Sequence, residues 1–222
     1  MAVAYDTTSN SGALATTDTA TWSHTCTGSN LALFVGGGSR AGTPASTTSV
    51  TYNGVSMTEL FDDIFAGIFT HISCHGLAAP ASGANNVVVT LSASNDEVYY
   101  GAISATGVNQ ATPFGTVASN ASDADNTPTT TVGSVGADDL VVDAVVGAHD
   151  GAATAGADQT ERWDLVGGTC GSTQPGSSGG VMSWTIGGVG WYQAAIAFKP
   201  AVSGSNPAPI IDYYYRMIGA KN

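Results

Sequence analysis

Residues 49–60, SVTYNGVSMTEL, admit few local folds. Asn53-Gly54 lies between two runs that alternate apolar and polar side chains. A two-residue type I′ turn needs positive φ at both central positions, and Asn followed by Gly meets that need with least strain, so the stretch predicts a tight β-hairpin. Alternating or β-branched runs recur along the chain. Residues 19–26 and 30–37 suggest a first strand pair, followed by 67–77, 85–94, 97–108, 138–148, 181–188 and 191–200. No long stretch repeats its apolar residues with the 3.6 period of a helix. About a dozen strands at this spacing predict one antiparallel β-sandwich over residues 1–200, with helix nearly absent. The segments GSRAGTPASTT, SNASDADNTPTT and GTCGSTQPGSSGG read as low-complexity loops.

Only 10% of the 222 residues are charged, while 43% are hydrophobic. The chain can therefore bury a single sizeable core and is not a disordered polymer. A net charge of −12 with five Lys or Arg leaves no cationic face for phosphates, which argues against nucleic acid or an anionic membrane surface as partner. The opening residues MAVAYDTTSNSG carry neither the basic nor the apolar region of a secretory leader, and no apolar run is long enough to span a bilayer. The three cysteines, Cys26, Cys74 and Cys170, have no paired spacing and read as reduced, buried small hydrophobes. Synthesis and retention in a cytoplasm are expected.

Candidate chemistry is sparse. HISCH places His71, Ser73 and His75 on one face of a strand and Cys74 on the other. Histidines four residues apart on a strand are separated by ~13 Å, too far to chelate one ion, so a metal site would need a partner from another strand such as His24. The simpler expectation is half-exposed residues on a sandwich face. In SDADN, Asp123, Asp125 and Asn126 offer oxygen ligands for Ca²⁺ but lack the later bidentate Glu, and the same residues suit a turn. The pairs Asp62/Asp63, Asp96/Glu97 and Asp138/Asp139 read as strand-end turns whose neighbours point apart. No GxSxG elbow is present. Trp22, Trp163, Trp184 and Trp191 each sit in a strand-like run and read as core, with Trp163 the nearest to a loop rim. No enzyme activity, cofactor or metal is expected.

The chain closes on PAPIIDYYYRMIGAKN after a Ser-, Gly- and Pro-rich spacer at 201–209. Residues 210–222 read as a C-terminal docking arm. Ile210, Ile211, Tyr213, Tyr214, Tyr215, Arg216, Met217 and Ile218 are its partner-binding side chains, because Tyr, Met and Arg are the types enriched at interfaces. The last sixteen residues carry +1 (two bases, one acid) against −13 (three bases, sixteen acids) for the rest.

SVTYNGVSMTEL, GAISATGVNQATPFG, GADDLVVDAVVG and WYQAAIAFKPA, in that order, resemble a jelly-roll-like β-sandwich domain of phage structural proteins and bacterial surface proteins, over roughly residues 15–200. The resemblance implies a jelly-roll type of sandwich and no shared catalytic residue. It is similar in character to a phage virion protein assembled in the host cytoplasm. The expectation is a capsid decoration (cement) protein that binds the major capsid protein and itself, as a homotrimer. The competing expectation is a glycan-binding module of a tail fibre or cell surface, which would use exposed aromatics and loop carboxylates.

Overall fold

The computed structural model describes residues 1–147 and 151–202; everything reported of the structure concerns these. The fold is all-β, 63% strand and 3% helix, with antiparallel sheets packed together as a sandwich. In chain order the strands are β1 Ala4–Asn10, β2 Leu14–Cys26, β3 Ala32–Arg40, β4 Thr47–Tyr52, β5 Val55–Ser56 and β6 Thr58–Phe65. They continue as β7 Thr70–Ala78, β8 Gly83–Thr106, β9 Ala118–Ser122, β10 Thr129–Thr131 and β11 Leu140–Gly147. The last five are β12 Thr154–Ala155, β13 Thr160–Leu165, β14 Thr169–Pro175, β15 Val181–Thr185 and β16 Trp191–Phe198. The expected hairpin is present: Asn53 and Gly54 have φ of 51° and 74° between β4 and β5.

The first large sheet runs β5-β4-β8-β3-β7-β6, with β1 and β2 also on β8. Its organiser is β8, 24 residues long. The two runs 85–94 and 97–108 are thus one strand, and residues 19–26 and 30–37 do not pair with each other: β2 pairs β8, while β3 lies between β8 and β7. The β8 register against β2 and β4 shifts around Leu91–Asn95. At this corner buried Asn95 accepts from the Ala45 amide at 3.0 Å and donates to the Ala93 carbonyl at 2.9 Å. The corner turns the first half of β8, with β2 and β4, back over the second half. Val87, Val89 and Leu91 from one half therefore share a core with Val98, Tyr100 and Ala102 from the other.

The second sheet, β13-β14-β11-β16-β9, packs on the opposite face of β3, β7 and β8 through Phe34, Ile72, Ile103, Val142, Trp163 and Ile196. The short sheet β10-β15-β12 then covers the outside of β11 and β16 with Met182, Trp184 and Ile186. The middle strands β3, β7, β11 and β16 are covered on both faces and contain no exposed residue. β14 corrects an expectation. GTCGSTQPGSSGG, read as a loop, contributes a buried interior strand whose small residues leave room for a large neighbour: a Cβ on Gly171 would fall inside the Trp163 indole, as would one on Gly101.

Candidate functional site

Covering β3 and β7 on both sides decides the fate of HISCH. His71, Ser73 and His75 are buried rather than half-exposed. His71 Nε2 donates to Asp62 Oδ2 at 2.9 Å, and Asp62 also accepts from the Thr47 amide at 3.2 Å. Thr47, Ser73 and Tyr100 hydroxyls bond to one another at 2.8–3.2 Å. Burial lowers His75 to about 4, with Asp62 pulling it up and His71 pushing it down. His24 is not part of this group. It bonds Ser9 Oγ at 2.8 Å and Thr7 Oγ1 at 3.5 Å on β1, and burial lowers it to about 4 against the pull of Asp6. Among the described residues no three His, Cys, Asp or Glu side chains are grouped to hold a metal.

In SDADN the side chains of Asp125 and Asn126 are engaged by the turn and by β16 and its flank. Asp125 accepts from the Thr127 amide at 2.9 Å and from Trp191 Nε1 at 2.9 Å. Hydrogen bonds from Ser122, Thr127 and Trp191 hold its carboxyl well below the usual range. Asn126 Nδ2 donates to the Ile186 carbonyl. The paired carboxylates do point apart, but Asp62/Asp63 and Asp96/Glu97 lie within β6 and β8 rather than at strand ends. Asp62 meets His71, and Asp63 accepts from the Tyr192 hydroxyl. Asp139 alone of the third pair is tied inward, to Lys199 at 2.7 Å.

All four tryptophans are buried, Trp163 included, so none of them forms a sugar-stacking platform. Trp163 lies in the core because Gly101 and Gly171 open a slot for it. The cysteines fall in three separate clusters, each thiol raised by burial.

One functional-looking group was not legible beforehand. Asp143, in the middle of β11, is wholly buried. It accepts from the Ser172 amide at 2.7 Å, Ser172 Oγ at 2.8 Å, Trp184 Nε1 at 2.7 Å and Gln193 Nε2 at 2.8 Å. Burial raises its carboxyl, opposed by these bonds. The donors come from β14, β15 and β16, so Asp143 pins the covering sheet to the second sheet rather than facing a substrate.

Two groups of exposed residues lie at the ends of the body. The first residues and Ala201 share one end, where the Ala201 amide donates to the Gly107 carbonyl at 2.7 Å and Gly107 lies beside Ala2. At the opposite end, Arg40, Ala41, Gly42, Ile68, Phe69, Asp96 and Glu97 line an open hollow of about 430 Å³. Phe69 has φ of 53° and is 58% exposed, and Val166 and Val189 nearby are 57% and 61% exposed. The predicted arm residues Ile210, Ile211, Tyr213, Tyr214, Tyr215, Arg216, Met217 and Ile218 lie outside the described residues, as does His149. Comparison with protein-family models, curated proteins and solved structures finds no match to the chain.

Proposed function

We propose that the chain is a non-enzymatic structural protein of a bacteriophage virion. It is a capsid decoration protein that binds the outer face of the shell and stabilises it through contacts to the major capsid protein and to further copies of itself, as a homotrimer, with the 210–222 segment as its docking arm. The observation that supports this reading is where the reactive side chains sit. His24, His71, His75 and Asp143 are buried: His24 and His71 hydrogen-bond to other strands of the first sheet, Asp143 ties two sheets together, and none of the four lines the described surface hollows. The exposed surface instead offers acids and a few apolar side chains, the material of a contact surface. The acidic body and apolar, basic arm suit assembly onto a larger particle.

The test is electron cryo-microscopy of native particles that contain this protein. Repeated copies on the outer shell, in contact with the capsid lattice, are expected. Copies confined to a tail or fibre, or none in the particle, overturn the proposal. Particles assembled with Tyr213→Ala and Tyr215→Ala together should carry fewer copies after a heat challenge than wild type.

A further inference from the structure

The three basic residues of the described body are already engaged. Arg40 pairs with Glu97 at 3.3 Å and donates to the Gly167 carbonyl at 3.1 Å. Arg162 lies 3.5 Å over the Tyr5 ring and donates to Thr173. Lys199 pairs with Asp139. The rest of the surface is acidic, and a partner drawn by charge must bring its own cations. Arg216 and Lys221 are the only other bases in the chain.

The hollow at the end opposite Ala2 and Ala201 has matching chemistry. Ile68 and Phe69 form its apolar wall. Asp96 and Glu97 form its acidic wall, and Asp96 is exposed while Glu97 is shared with Arg40. Asp123 extends the acidic rim, 3.5 Å from where a Cβ on Gly67 would stand. The Phe69 ring is held out by a left-handed backbone, closed by the Phe69 amide on the Ala66 carbonyl, a conformation costly for an aromatic residue. An apolar segment with one internal base, such as Tyr213-Tyr214-Tyr215-Arg216-Met217, fits a wall of each kind.

Reach favours a neighbour over the same molecule. β3 runs from one end to the other over nine residues, or ~30 Å. Residues 203–212, the tether to Tyr213, span at most about 36 Å at full stretch. To reach its own hollow the segment would have to run the length of the body on a fully extended linker, whereas a second copy placed end to end brings its hollow beside the exit point. We propose that the Arg40–Phe69–Asp96 hollow is the receptor for the 210–218 segment of a second copy, so that the protein associates arm to pole. This rests on reading that segment as a docking arm, but not on the virion assignment.

Sedimentation velocity on the full-length protein at low and high salt tests it. Wild type should associate beyond the 22.2 kDa monomer, less at high salt. Phe69→Asn removes the ring while suiting the left-handed backbone, and Asp96→Lys reverses the rim; each should weaken association at least about tenfold with an unchanged melting temperature. Tyr213→Ala with Tyr215→Ala should do the same from the other side. An equimolar mixture of the Phe69→Asn protein and the tyrosine double variant should regain association, because each supplies the half that the other lacks. A monomeric wild type, pole variants that associate like wild type, or a mixture that stays monomeric overturns the inference. Association in solution without shell binding would keep it and refute the decoration reading alone.

Discussion

Asp143 gives the sharpest test of the layered packing. In Asp143→Asn one carboxylate oxygen becomes an NH₂ that donates. If it replaces Oδ1 it faces the Ser172 amide, and if it replaces Oδ2 it faces the Trp184 indole N–H. Both are obligate donors, so neither orientation avoids a donor-to-donor contact in a site with no water access. Two buried groups lose their partner at about 1–3 kcal/mol each, giving about 2–6 kcal/mol in all. For a chain of this length that lowers the melting temperature by roughly 2–4 °C per kcal/mol. The protonated acid behaves differently from the amide, because a hydroxyl oxygen on Oδ2 still accepts from Trp184 while its proton can go to a turned Gln193 amide. Burial raises the Asp143 carboxyl above its unfolded value. The folded chain therefore holds the proton where the unfolded chain has lost it, and this group's contribution to stability falls as pH rises above the ordinary carboxylate value of ~3.9. The assay is urea unfolding followed by tryptophan fluorescence, with wild type and Asp143→Asn compared across pH. An Asn variant within about 0.5 kcal/mol of wild type, the scale of an ordinary surface change, would refute the account of Asp143 as the pin between sheets.

Gly171→Ala should destabilise by about 1–3 kcal/mol in the same assay, since its Cβ meets the Trp163 indole. Gly54→Val meets no neighbour but is strained at φ of 74°, and should cost about 1–2 kcal/mol through the backbone alone. Burial lowers His24 and His75 to about 4, so the unfolded chain binds their protons first; stability should hold above pH 6.5 and fall as pH drops from there towards 4, and His24→Gln should flatten part of that fall in a pH series of melting temperatures. Thiol titration should find Cys26, Cys74 and Cys170 unreactive in the folded protein and three free groups after unfolding; one group would mean a disulfide.

The hairpin at Asn53-Gly54 and the all-β character were legible because both are local: turn chemistry and a period of two act within a few residues. The number of layers is not local. A strand covered on one face and a strand covered on both can carry similar runs, so HISCH read as half-exposed when its second face is in fact buried, Ser73 against Tyr100 and against Thr47 of β4, the strand carried on the returning half of β8. The signal for that return was present but weak: residues 91–96, LSASND, interrupt an otherwise continuous strand with small and polar residues, which reads equally well as a loop between two strands.

The exposed end of the body was less legible still. Arg40, Phe69 and Asp96 come from three segments far apart in the chain, and only the antiparallel register of β3 with β7 and β8 brings them together. Arg40 read as loop, Asp96 as a strand-end turn and Phe69 as the start of a strand at 67–77. The same limit hid β14. Thr169-Cys170-Gly171-Ser172 has the composition of a loop, and its place in the interior follows only once Trp163 is paired with Gly171 across β13 and β14. A glycine that looks like flexibility in the sequence is there the space that a tryptophan on the next strand needs. Filling it should harm the fold more than removing the freedom of the hairpin glycine at 54, although turn chemistry marks only the latter.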